Sequence, residues 1–252
     1  MLEIDKRIFL FKKKEIWFSE TVFDVKNCDV LFFHECKNNI SKSGFQKNDF
    51  TTITIDLRDN LEAIWQNIDK SSFRYGINKA QKDGVKIYLN QHYKEFYQIY
   101  REFNKKKGLP VSNWKPENMK KYGTLLVAVA KNKIIAGNFY LEDDNNIRWL
   151  LGASKRLNYI TREERSLIGN ANRLLIWETI KYAKNKGIQE FDFGGYYTGE
   201  KNNEQKRGIN LFKKGFGGEI KTYYNYRKDY SRIFKLIYSM HNLINHYGKI
   251  SI

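Results

Sequence analysis

Asp192, Gly194, Gly195, Tyr196, Tyr197, Phe212 and Lys213 all fall within one stretch, EFDFGGYYTGEKNNEQKRGINLFKKGFGGE, residues 190 to 219. Alternation along a strand places Asp192 opposite Phe191 and Phe193, so if the rings face a core the carboxylate faces the other layer. There it could orient a substrate amine or hydroxyl, or accept its proton. Gly194 and Gly195 let the main chain come close to a ligand. Tyr196 and Tyr197 follow at the strand's carboxyl end, where a phenol could protonate a leaving thiolate or stack on a sugar or base. Hydroxyls and cations beside bare backbone suit a phosphorylated or oxygen-rich ligand. Two tight turns around an ordinary helix would give the same composition.

A second group, Arg74, Lys79 and Lys82 in FRYGINKAQK, clusters near one helical face. Such cations can hold a diphosphate through bidentate and point-charge contacts. A solvated basic face reads the same way. His34 and Cys36 share a strand face, but a thiolate nucleophile needs a base aimed at it and an anion site. With two cysteines in the chain, neither a disulfide framework nor a zinc site is expected, and no metal is.

The elements that position these groups follow from periodicity. The chain has 252 residues, 41% apolar and 15% aromatic, enough for one large domain or two small ones. With 45 Lys and Arg against 28 Asp and Glu it carries a formal charge of +17. Such a surplus attracts polyanions, although lysines scattered over an ordinary surface produce it too. No apolar run is long enough for a membrane span, and the charged N-terminus does not read as a signal peptide, so a cytoplasmic protein is expected. RIFLF, EIWFS, DVLFFHE and FTTITIDL read as strands, followed by a helix that Asp59 caps and Gly84 ends. From residue 85 the order is β, α, α, β, β, β, α, β, α, β. The last helix before EFDFGG spans NRLLIWETIKYAKNKG, with the charged segment ahead of it read as irregular. A mixed sheet flanked by helices is the packing solution for that order. The expected division is a β-rich subdomain 1–84, a catalytic domain 85–228 and a C-terminal helix 229–252.

TITIDL followed by SSFRYGINKAQKDGVKIY, and LLIWETIKYAKNKGIQEFDFGG followed by GINLFKKGFGGE, resemble the FemAB branch of the GNAT acyltransferase superfamily over most of residues 50 to 225. The resemblance implies an α/β (α+β) fold: a GNAT-like mixed sheet flanked by helices, with a reduced N-terminal half. It also implies an amide-forming acyltransferase. Two neighbouring strands would splay, leaving the amides of Leu151, Gly152 and Ala153 free for the donor. A helix N-terminus at Gly169, Asn170, Ala171 and Asn172 would hold its pyrophosphate, where Asn170 equally suits a plain helix cap. Phe212-Lys213 matches the family's Phe-Lys element, whose lysine would steady the carbonyl oxyanion.

Three functions are therefore expected in order. The first joins an acyl group from acyl-CoA, or from acyl carrier protein, to the amine of a nucleotide-linked amino sugar. It binds no permanent cofactor, and it suits a chain too short for two full GNAT halves and without the helical tRNA arm of some family members. The alternative takes aminoacyl-tRNA as donor and a peptidoglycan precursor as acceptor. The third is a non-catalytic polyanion-binding protein on the same fold. Aromatics near the tail, Tyr230, Phe234 and Tyr238, could line an oligomer interface or dock on the sheet.

Overall fold

The computed structural model describes residues 1–159, 161–199 and 203–238. Three strands open the chain: β1 (Leu2–Ile8), β2 (Phe11–Trp17) and β3 (Val30–Cys36). β4 (Gln46–Asp56) precedes α1 (Leu61–Asn67), a π-helical turn (Lys70–Arg74) and α2 (Tyr75–Lys82). Then come β5 (Lys86–Leu89), α3 (Tyr93–Lys107), α4 (Pro116–Tyr122) and the strands β6 (Gly123–Ala130), β7 (Lys133–Glu142) and β8 (Asn146–Ser154). A 3-10 turn (Lys155–Asn158) leads into α5 (Arg162–Asn185), followed by β9 (Glu190–Asp192), α6 (Glu204–Lys214) and β10 (Glu219–Asp229). From β5 onward this is the expected order. Of the expected C-terminal helix, residues 232–238 are helical and the remainder lies outside the described residues.

The chain forms two compact units, Thr51–Lys221 and, by itself, Met1–Phe50 with the described residues from Thr222. The boundary thus falls at residue 50 rather than 84. The reason is strand pairing: Thr54, Ile55 and Asp56 of β4 pair with Asp192, Phe191 and Glu190 of β9. α2 then packs on α5, so close that a Cβ at Gly76 would meet Arg173 and Asn170 at 2.8 Å.

In the larger unit the strand order is β4-β9-β8-β7-β6-β5, antiparallel except for β8 with β9. α5 covers the face of Ala136 and Tyr140, whose hydroxyl accepts from Thr179 at 2.9 Å. α3 and α4 cover the face of Gly137 and Phe139, against Phe96 and Trp114. Both faces are buried, so β6 and β7 read as continuous apolar runs rather than alternating ones.

The expected single helix after β4 is broken. Asn60, not Asp59, caps α1 by accepting from Ala63 N at 2.7 Å. Ile68 is extended, and Asp69 restarts the helix by accepting from Ser72 N at 2.8 Å. The segment read as irregular ahead of residue 172 is helical. Thr161 caps it, its hydroxyl accepting from Glu164 N at 3.2 Å and donating to the Glu164 carboxylate at 2.9 Å. α5 therefore begins at Arg162.

The smaller unit pairs β1 with β2 antiparallel, β2 with β3 parallel and β3 with β10 antiparallel, around Ile16, Leu31, Phe33 and Tyr226. The expected strand RIFLF is cut in two, because Ile8 pairs with Phe11 and Phe9-Leu10 form the turn.

Candidate active site

β9 pairs with β8 only as far as Asp192 with Arg148. Beyond that point the chain follows β4, with Phe193 N donating to Ile53 O at 3.0 Å and Tyr196 N to Thr51 O at 2.8 Å. β8 continues to Ser154 with no partner from β9. A bulge at Leu150 adds to the divergence: Tyr140 pairs with Trp149 and Phe139 with Leu151. A cleft of about 550 Å³ opens at this splay, walled by Trp149, Gly152 and Ala153 on one side and by Gly194, Gly195, Phe212 and Lys213 on the other. Gly152 is required where it stands, since a Cβ there would lie 2.5 Å from the Trp149 indole.

The floor of the cleft is polar and buried. One Asp192 carboxylate oxygen accepts from the Thr52 hydroxyl at 2.5 Å and from the Gly194 amide. The other oxygen is buried and has no partner among the described residues. Burial raises the Asp192 pKa, opposed by the Arg148 charge and the Thr52 hydrogen bond. Lys213, 6% exposed, donates to Gly194 O at 2.7 Å and Gly195 O at 2.5 Å. Burial lowers its pKa to about 8, with Arg148 adding to the shift and Asp192 opposing it. Gly194 has φ +73° and lies against the Arg148 guanidinium, so a side chain is excluded there twice over. Asn210, also on α6, accepts from Tyr197 N at 3.1 Å and donates to Tyr197 O at 2.7 Å. Two α6 side chains thus hold residues 194–197 by their backbone.

A second concavity of about 530 Å³ adjoins the first, the two sharing Arg156, Gly169 and Arg173. Arg162, Arg165, three serines, Tyr75 and Asn170 complete its lining, and no carboxylate is among them. None of the four arginines is in an ion pair among the described residues. Arg173 donates to Ser72 Oγ at 3.3 Å, and its guanidinium lies 4.8 Å from the Phe73 ring centre. Burial lowers the Arg173 pKa, and Arg156 adds to that effect.

Of the residues singled out from sequence, Gly152, Ala153, Gly169, Asn172, Gly194, Gly195, Phe212 and Lys213 line the cleft. Asp192 is not among the lining residues; it is buried and accepts from the amide of Gly194, which is. Several others are elsewhere. Leu151 is buried, and its carbonyl accepts from the Trp149 indole at 2.9 Å. Gly169 to Asn172 are in the interior of α5, where each N–H is bonded to the preceding turn, so the expected helix N-terminus is absent at that point. Ala171 is core and Asn170 faces α2. Tyr196 and Tyr197 are outside the cleft lining, under the cations of Lys214 and Lys206 respectively. Arg74 donates to Gln66 at 2.7 Å, Lys79 pairs with Asp83 and Lys82 is exposed; none of the three reaches either concavity.

Residues missed were Thr52, Arg148, Asn210 and the arginines. Arg162, Arg165, Ser166, Gly169 and Arg173 recur at helical spacing, a signal that was present. The partnership of Asp192 with Thr52 had no local signal.

The FemAB family profile matches residues 123–245, which include β8, β9 and α6. Over those residues the chain is FemAB-like and has the fold of that acyltransferase group. Among solved structures it is similar to FemX, at 12% identity and TM-score 0.65, covering 93% of this chain and 85% of that one. The C-terminal domain of a putative lysylphosphatidylglycerol synthetase from Agrobacterium fabrum matches at 10% identity and TM-score 0.54, over 79% of this chain and 68% of that one. L-PGS from Bacillus licheniformis matches at 12% identity and TM-score 0.51, over 82% and 71%. At these identities the likeness concerns the fold. No curated protein sequence matches the chain.

Proposed function

We propose that this FemAB-like protein is an aminoacyl-tRNA-dependent aminoacyltransferase that forms an amide on an amine of a peptidoglycan precursor. The observation that carries the reading is the junction of the splayed β8 edge with an arginine-lined concavity free of carboxylates. The aminoacyl ester lies along β8, and the phosphodiesters of the tRNA acceptor end lie on Arg156, Arg162, Arg165 and Arg173. The neutral amine attacks the ester carbonyl, the tetrahedral oxyanion develops near Lys213 and Arg148, and the 3′ oxygen leaves. Asp192 fixes Gly194 and with it the carbonyls that hold Lys213. Alignment of amine and ester can supply roughly 7 to 11 kcal/mol in favourable cases, so no strong base is required.

The acyl-CoA reading, with a nucleotide-linked amino sugar as acceptor, shares the cleft. It loses the support expected from a pyrophosphate site at residues 169–172, because those amides are bonded within α5. Transfer from labelled aminoacyl-tRNA and from acyl-CoA, each offered both acceptors, separates the two. Arg165→Ala with Arg173→Ala is expected to raise KM for the tRNA donor about tenfold, or about 1.4 kcal/mol, with kcat little changed. Turnover of acyl-CoA with an amino sugar, and none of aminoacyl-tRNA, would reverse the order of the readings.

A further inference from the structure

The β1–β2 turn exposes two large apolar side chains almost completely, Phe9 at 93% and Leu10 at 93%. Phe9 also has φ +54°, a conformation that hairpin turns ordinarily give to glycine. A bulky residue kept in so unfavourable a backbone position points to a use for its side chain. Directly after the turn, Phe11 packs edge-on against Phe234 with ring centres 5.1 Å apart. This contact sets the helical residues 232–238 beside the hairpin, and that helix exposes Ile233 at 66%, Leu236 at 64% and Ile237 at 52%. The apolar groups stand among cations. Arg7 and Lys12 are cross-strand neighbours just behind the turn, and Arg232 and Lys235 lie on the helix. All four are exposed, and none is in an ion pair among the described residues. By contrast, Lys6 and Lys13 on the opposite face of the hairpin are bound by Glu15.

We propose that this edge of the smaller unit docks on an anionic lipid bilayer, with Phe9 and Leu10 entering the headgroup region and the four cations meeting lipid phosphates. Apolar side chains ringed by unpaired cations are the chemistry of interfacial anchoring. The occupant is favoured by charge: a second copy of a chain at +17 would bring like charge against Arg7, Lys12, Arg232 and Lys235. No helix among the described residues is long and apolar enough to cross a membrane. The proposal is independent of the donor and acceptor argued above, since none of these side chains lines the cleft.

Sedimentation of the full chain with phosphatidylglycerol/phosphatidylcholine vesicles, and with vesicles of phosphatidylcholine alone, tests it. Binding is expected to the anionic vesicles only. Phe9→Gly with Leu10→Asn is expected to weaken partitioning at least tenfold without lowering Tm, because glycine accepts the backbone of the turn. Arg7→Gln with Lys12→Gln is expected to weaken it about fivefold per charge at low salt. Three results would each overturn the proposal: no vesicle binding, variants that bind as the parent does, or lipid-independent self-association that the Phe9→Gly/Leu10→Asn chain lacks.

Discussion

Lys213 shows how a buried cation can set both stability and a pH profile. Its pKa is lowered to about 8 by burial, while the unfolded chain has the ordinary lysine value. Between those values the unfolded chain binds more protons than the folded one, so this residue's contribution to stability rises with pH across that window. The proposed oxyanion role needs its charge, which is lost over the same range. Wild-type kcat/KM is therefore expected to have a basic limb near pH 8. Lys213→Met should remove that limb and lower kcat/KM about 100-fold, the scale for losing one oxyanion donor. Asp192 has the opposite sign. Its raised pKa means the folded state holds the proton more tightly. The residue thus costs stability at neutral pH, and the cost disappears as pH falls through its unfolded value. Asp192→Asn keeps an acceptor for Thr52 and Gly194, so it should be at least as stable as the parent at pH 7 by thermal melting. A large fall in Tm would show that the carboxylate charge itself holds the floor together.

At the scale of elements, α6 is the clamp and α5 is the wall. Asn210 makes two hydrogen bonds to the Tyr197 backbone from an 8% exposed position, three residues from Lys213 on the same helix face. Asn210→Ala leaves those backbone groups without partners and is expected to cost about 1 to 3 kcal/mol. Hydrogen exchange at Tyr197 should accelerate in that variant, and exchange unchanged from the parent would remove the clamp from the account. The pattern on α5 is readable once the helix is known to start at Arg162, behind the Thr161 cap. The T-x-x-E spacing of Thr161 and Glu164 is in the sequence, whereas the expected helix begins only at Asn172, behind the segment read as irregular. The α2 helix shows the reverse case. Its basic residues suggested a ligand, and packing assigned them to Gln66, Asp83 and solvent.

For the whole molecule, a charge of +17 becomes specific where arginines converge without carboxylates. Counterion release makes polyphosphate binding salt-dependent, by about 0.7 per phosphate neutralised on a single strand. If tRNA is the donor as proposed, four arginines on its acceptor end predict a log–log slope of roughly −3 for donor affinity against salt. Arg165→Ala with Arg173→Ala should shallow it by about one to one and a half. A slope that these variants leave unchanged would move tRNA docking away from this concavity.

Residue types and periodicity were enough to determine the strand and helix order from residue 85, the mixed sheet, and the grouping of Gly194, Gly195 and Lys213, which line one cleft. Each of those signals is local: alternation, three-and-four spacing, or a motif within one segment. The tertiary structure decided the rest. Thr52 reaches Asp192 across 140 positions of chain, and β4 belongs to the catalytic body only because it pairs with β9. Turns in strand-like runs are also settled globally. RIFLF has the composition of a strand, yet the register of β1 on β2 exposes Phe9 and Leu10 at its middle. Pairing partners far apart in the chain leave no mark on local pattern, and they determine which polar groups meet.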